Sequence, residues 1–312
     1  NDVKTLISKN IRDYGMYIAL FVIFLIFTIL TDGLFISSRN ISNLLDSAGY
    51  IAVLAVGVML VIVIRHIDLS IGFLAGFLGA IAAILLMQYG LPVYVVIPII
   101  LGLGVIAGLF TGFLVAKVGI PAFVATLAGW LIYRGAILQV TEKSGTIIVQ
   151  NDAFNAIGNG YIPSMMQIGG LHLLSLLIGA LGIVFYIYSA ISNRRNKIKY
   201  NFEVVSKQIF ILQLIFVSAI IAAITWILAG YNGFSWTVII ILLVVIVYHF
   251  FTTKTVLGRH IYAVGSNPEA AHLSGINVKK ITYIVFGSMG LLSALSGILF
   301  TSRLQAATTT AG

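Results

Sequence analysis

The chain has 312 residues, of which 60% are hydrophobic and 9% charged; it contains no cysteine and carries a formal charge of +9. So little charge excludes a soluble globular protein, whose surface needs far more of it, and the missing cysteines exclude disulfides and thiol chemistry. The positive balance does not point to nucleic acid, because the charges are spread over several short loops instead of forming one face.

Apolar runs long enough to cross a hydrocarbon core of roughly 30 Å recur at about 16–31, 48–64, 70–88, 93–116, 121–140, 171–191, 208–229, 236–253 and 282–302. They predict nine spans in an all-α polytopic bundle, with the two ends of the chain on opposite sides of the membrane. The first run is followed by TDGLF and not by a small-residue cleavage site, so it reads as a retained span. With the N-terminus in the cytoplasm, all of the 18 Lys and Arg except Arg39, Arg134, Lys143 and Arg303 fall in inside segments, as the positive-inside rule requires. The longest polar stretches are an outside loop at about 141–170 and inside loops around Arg194 and Asn267. None can hold a core of its own, so residues 1–312 read as a single transmembrane domain.

Within this frame Asp68 follows the second span and reads as the only acidic residue close to the bundle interior. Its side chain can pair with Arg65 or cap the next helix through the N–H groups near Ser70 and Ile71, and capping is the preferred role. Gly72 and Gly76 lie four apart, as do Gly104, Gly108 and Gly112, a spacing that lets helix backbones approach closely. Arg134 follows Trp130 and Tyr133 in a span that lacks an acidic partner. It can snorkel to the outer interface, or face a polar pathway with Thr126 and Gln139. The 5 histidines are scattered without metal-ligand spacing.

The segment GRHIYAVGSNPEAAHLSGINVKK, residues 258–280, is the longest polar stretch that reads as ordered structure. Asn267 is suited to cap a helix, Pro268 to its first position and Glu269 to its positive end. Ala270, Ala271, His272, Leu273 and Ser274 continue it, and Gly275 supplies the left-handed residue that stops it. The product is a helix of about two turns, too short to stand alone. On local chemistry it is either a capped helix in a surface loop or a docking element.

AVGSNPEAAHLSGINVKK, together with the span ending GILFTSRLQAATTTAG, closely resembles the cytoplasmic coupling segment and next helix of sugar-importing ABC permeases of the ribose, galactose and xylose type. HIDLSIG, residues 66–72, resembles the GIDLSVG run of that family, with His66 where glycine is usual. GIPAFVATLAGWLIYRGA, residues 119–136, is similar to its PxFIxTLGxxxIxRG stretch. The basic loop RRNKIKYNFEV, residues 194–204, and the span after it look most like the xylose and multiple-monosaccharide branch.

The resemblance implies a permease subunit that passes a monosaccharide such as xylose, galactose or glucose through a bacterial inner membrane. Residues 254–281 would be the cytoplasmic coupling segment, with Ser266, Asn267, Pro268, Glu269, Ala270, Ala271, His272 and Gly275 contacting a partner ATP-binding subunit. That partner would carry ATP and Mg, with no cofactor on this chain. A second permease copy would complete the pathway, and an extracytoplasmic sugar-binding protein would deliver the substrate. Asp68, Ser70, Thr126, Arg134 and Gln139 are the candidate path residues. The family also continues beyond ATTTAG with a glycine-rich segment and at least one more span, so the sequence reads as a fragment of a protein with ten or more. The chain has no GxxxxGK[ST] loop, intramembrane carboxylate pair or nucleophile elbow. The rival reading is a carrier or facilitator that works without an ATPase, with a membrane enzyme third.

Overall fold

The computed structural model describes residues 11–142, 145–163, 167–168 and 170–309. Twelve α-helices are found among them: α1 (Ile11–Leu30), α2 (Ser38–Val63), α3 (Ile71–Met87), α4 (Val93–Phe113), α5 (Ala122–Thr141), α6 (Asp152–Asn159), α7 (Leu173–Lys199), α8 (Lys207–Ala229), α9 (Trp236–Lys254), α10 (Val256–Ser266), α11 (Pro268–Leu273) and α12 (Val278–Leu304). A π-helical turn, Leu114–Val118, extends α4. Two minimal antiparallel ladders complete the set, β1 (Ile147–Ile148) with β4 (Ala306–Ala307) and β2 (Gln167–Ile168) with β3 (Leu171–His172). All nine expected spans coincide with helices. Seven are long and apolar enough to cross a membrane, and α1 and α3 contribute the shorter apolar stretches Ala19–Leu30 and Ile71–Met87.

The chain divides into two compact units, residues 1–44 with 163–233 and residues 45–162 with 234–312. In the first, α7 and α8 form a helical hairpin. His172 caps α7 through the Ser175 N–H, and Ser206 caps α8 through the Ile209 N–H. The pair closes where Gly179 leaves room for Thr225. Also in this unit, Phe35 packs edge-on to Phe24 and stacks on Phe27, with ring centroids 5.1 and 5.5 Å away.

The second unit is organised around α12, which is buried over 72% of its apolar window. A helix apolar on all sides belongs inside a bundle, and α12 packs against α4 and α3. Gly104 and Gly108 set the close crossing with α4: a methyl at Gly104 would lie 2.6 Å from the Ala294 Cβ, and one at Gly108 would overlap the Phe286 carbonyl. At the crossing with α3, a methyl on Gly79 would lie 2.9 Å from the Gly297 carbonyl oxygen. Leu74, Leu78, Ile100, Phe154 and Ile298 fill one core, and Leu60, Val61, Ile261, Val285, Phe286 and Met289 another.

Three helix limits differ from the sequence expectation. α2 begins ten residues before the expected 48, because Ser42 and Asp46, one turn apart, bury the same face of it. α7 runs on through Arg194–Lys199, where straight-chain cations are good helix formers and favour the negative end of the helix dipole. The polar stretch expected at 141–170 carries a helix, α6, capped by the Asn151 side chain.

Two residues of α4 separate packing from helix propensity. Gly108→Ala should destabilise the detergent-purified protein by about 1–3 kcal/mol, because the methyl meets a backbone carbonyl that cannot move aside. Gly102→Ala meets nothing within 4 Å and should leave the melting temperature unchanged or raise it slightly. Equal melting temperatures for the two variants would refute the close crossing.

Candidate functional site

Residues 254–281 are a series of capped turns. The Thr255 hydroxyl accepts the Gly258 N–H at 3.2 Å and starts α10, whose buried face is Ile261 and Val264. Asn267 ends α10 and starts α11: its Oδ1 accepts the N–H groups of Glu269 at 3.0 Å and Ala270 at 3.1 Å, and Pro268 takes the first helical position. Gly275, at φ +84°, closes α11. The Gly275 N–H reaches the His272 carbonyl and the Ile276 N–H the Ala271 carbonyl, both at 3.0 Å, which is the paired Schellman arrangement. Asn277 then caps α12 through the Lys280 N–H at 2.9 Å.

This geometry sorts the coupling candidates. Ser266, Asn267, Glu269, Ala270, His272 and Gly275 are exposed and Pro268 is half-buried. Ala271 is not available to a partner. It is 4% exposed and joins the cluster of Ile261, Val264 and Ile281, so its small side chain seats α11 on its own bundle. The sequence reading of Ala271 as a contact surface is corrected accordingly. Leu273, which that reading passed over, is 87% exposed on the tip of α11. α10 was also missed, although Leu257, Ile261 and Val264 at helical spacing after a threonine cap are its signal.

The segment is tied to the break between α2 and α3. Arg65 occupies the left-handed position that ends α2, at φ +64°, with its N–H on the Ile62 carbonyl and the His66 N–H on Val61. Its guanidinium donates from Nε to the Gly265 carbonyl at 2.6 Å and from Nη2 to the Ser266 carbonyl. These carbonyls end α10 and form the negative pole of its dipole. Gly265 permits the approach, since any side chain there would overlap the Val63 carbonyl. Arg65 therefore does not pair with Asp68, as one sequence reading allowed.

Asp68 takes the capping role only in part, since it reaches Ser70, the residue before α3, and no N–H within that helix. Its Oδ1 accepts the Ser70 N–H at 2.9 Å and the Ser70 hydroxyl at 2.7 Å, just ahead of α3. Burial lifts the Asp68 carboxyl above the usual carboxylate range, against the pull of the Ser70 bonds, and burial lowers the imidazole of His66. From α5, the buried Thr126 hydroxyl donates to the Ile67 carbonyl at 3.2 Å, and Gly129 leaves room for Ser70. Asp68, Ser70 and Thr126 thus form one polar knot, with Ser70 and Thr126 buried and Asp68 half-buried. Arg134 and Gln139 stand apart from it on exposed positions of α5. The Arg134 guanidinium lies 5.4 Å from the Trp130 ring and 6.0 Å from Phe73, a cation–π seat that stands in for an acidic partner.

A second polar cluster lies at the far end of α12. Asp46 is 2% exposed, so Asp68 is not alone as an acidic residue near the interior. Its carboxylate accepts the Ser235 hydroxyl and, at 3.5 Å, that of Tyr161, and lies 3.9 Å from Arg303. Arg303 also donates to Asn159 at 3.0 Å, and Asn159 to the Ser302 carbonyl at 2.7 Å. The Ser42 and Asp46 spacing just before an apolar run was the available signal.

The Asp68 bonds discriminate cap from charge. Asp68→Asn keeps an oxygen for both Ser70 donors and should retain most transport, whereas Asp68→Leu should lose it with about 1 kcal/mol or more of local stability. Equal loss in both, at normal membrane levels, would show that the charge is what matters.

The profile of the family described as "Branched-chain amino acid transport system / permease component" matches residues 40–312. The chain is 35% identical over 307 residues to the xylose transport system permease protein XylH of Haemophilus influenzae, covering 98% of this chain and 79% of that one. It is 34% identical to XylH of Escherichia coli K12, over 98% of this chain and 75% of that one. The ribose import permease protein RbsC of Haemophilus influenzae is 32% identical, over 98% and 74% respectively. No solved structure matches. With seven helices long and apolar enough to span and this match over most of its length, the chain is a multi-pass membrane protein and belongs to that permease family.

Proposed function

We propose that the chain is the membrane-spanning subunit of an ATP-driven monosaccharide importer, with xylose as the first candidate substrate. The observation that carries the reading is the short capped helix α11, exposed at its tip and tied through Arg65 to the break before α3. The xylose and ribose permeases among its relatives support the substrate class, and the greater identity to the xylose proteins favours a pentose of that kind.

In this reading residues 254–281 are the cytoplasmic coupling segment of a single permease domain in a bacterial inner membrane, with the N-terminus inside. A partner ATP-binding subunit, holding ATP and Mg, receives α11. Leu273 enters an apolar pocket on that subunit, and Glu269, in the first turn, meets a basic or hydrogen-bonding group. A second permease copy completes the pathway, and a sugar-binding protein outside delivers the substrate. Closure of the ATPases displaces α10 and α11 together, since Asn267 joins them. Arg65 conveys that displacement to the Asp68, Ser70 and Thr126 knot, where α3 and α5 shift as rigid bodies.

Two experiments test the reading. Leu273→Glu and Glu269→Lys should each weaken co-purification of the ATP-binding subunit and cut ATP-dependent xylose uptake into vesicles about tenfold or more, at unchanged membrane levels. Uptake that persists without ATP and collapses with the proton gradient would instead establish a carrier. Arg65→Ala removes charge-assisted bonds to two carbonyls. ATPase co-purification and hydrolysis should persist while uptake falls about tenfold, and Arg65→Lys, which can reach one carbonyl, should fall between. Full uptake in Arg65→Ala would remove Arg65 from the transmission route.

A further inference from the structure

The basic run at the end of α7 is used by none of the chemistry above, yet it builds a cavity. A space of about 330 Å³ opens between α7 and α8, closed by the loop that joins them. Its walls change character along the helices. Tyr186 and Ala190 line the part nearer the apolar middle of α7, whereas Asn193, Arg194 and Lys197 line the part at its charged end. All five lie on one side of α7, at spacings of three and four residues.

Arg194 is held in place. Its guanidinium lies 4.7 Å from the Phe210 ring and donates one N–H to the Val205 carbonyl at 2.8 Å. Glu203 also lines the cavity, but among the described residues neither Arg194 nor Lys197 forms an ion pair with it. The other edge of a fixed guanidinium, an ammonium and an amide therefore line one end of a slot that continues along Tyr186 and Ala190 on α7, with Phe210 and Gln213 on α8. Two more cations, Arg195 and Lys199, belong to the same run but do not line the cavity. The charge distribution puts this end of α7 in the cytoplasm, at the depth of the inner-leaflet headgroups.

We propose that this cavity binds an anionic phospholipid of the cytoplasmic leaflet. The phosphate lies against Arg194, Lys197 and Asn193, and the first part of an acyl chain lies along Tyr186 and Ala190. Guanidinium recognises phosphate oxygens through paired N–H groups, and the slot admits the attached chain that a free anion lacks. The lipid would brace the α7–α8 hairpin, whose contacts are few compared with those of α12.

Because the chain has no cysteine, a single bimane label on Gln213→Cys, on the α8 wall and outside the proposed lipid contacts, reports the cavity. The full chain is reconstituted in phosphatidylethanolamine nanodiscs containing phosphatidylglycerol, with acyl-brominated quencher placed on one lipid or the other. Brominated phosphatidylglycerol should quench several-fold more than brominated phosphatidylethanolamine at equal content. Arg194→Gln with Lys197→Gln should reduce that preference about fivefold or more, and Lys197→Gln alone should reduce it in part, which keeps the test valid if loss of the Val205 bond disturbs folding. Arg195→Gln with Lys199→Gln should leave the preference intact. An equal loss in this second pair would overturn the site in favour of general attraction to the leaflet, and displacement of the brominated lipid by inorganic phosphate would overturn it in favour of a free-anion site.

Discussion

Every helix end leaves N–H or C=O groups that nothing within the helix can pair, so each end needs a partner from elsewhere. Most of the polar side chains that matter here meet that requirement. Ser206, Ser235, Thr255, Asn267 and Asn277 each accept N–H groups at a helix start, and Asp68 accepts the N–H of Ser70 just before α3. Arg65 works at the opposite pole, where the last carbonyls of α10 lack partners. A capped end costs little to place near lipid, and an uncapped one costs several kcal/mol. The positions of these few residues therefore decide where helices can stop and the chain can turn.

Two of these stops are alike in geometry and opposite in composition. α11 ends on Gly275 and α2 on Arg65, each with the same pair of backbone bonds and each with a positive φ. Glycine reaches that conformation freely, whereas a side chain there costs about 1 kcal/mol. The break after α2 accepts this cost, and its side chain bridges to α10. A residue that conflicts with local preference while making long-range bonds marks a place where the fold answers to more than stability.

Hydropathy made the spans legible because a lipid-facing helix must be apolar for about 20 residues whatever its neighbours do. The caps of α11 were legible for a similar reason: Asn267, Pro268 and Gly275 act within a few residues of themselves. What sequence alone left hidden depends on distant partners. The inward Asp46 needs Ser235 and Arg303 to be tolerable, and the Arg65 bridge spans two hundred residues of chain. The inward turn of Ala271 and the outward turn of Leu273 are set by how α11 lies on Ile261 and Ile281. Arg134 looked unpaired because its partners are aromatic faces, Trp130 beside it and Phe73 on α3.

The central helix α12 is fastened at both ends by different means. Its first turn is capped by Asn277, next to α11, and near its last turn Arg303 is clasped by Asp46 and Asn159. At 1.5 Å per residue, its 27 residues form a lever about 40 Å long. The buried clasp at one end acts as a fulcrum, so a push at the other cannot slide the helix along its axis without breaking the ion pair. A sideways displacement of about 5 Å at Asn277 becomes a tilt of about 7°, with an amplitude that shrinks steadily toward Arg303. The Gly104 and Gly108 crossings lie part of the way along this lever, where α4 must be carried with it or rolled against it.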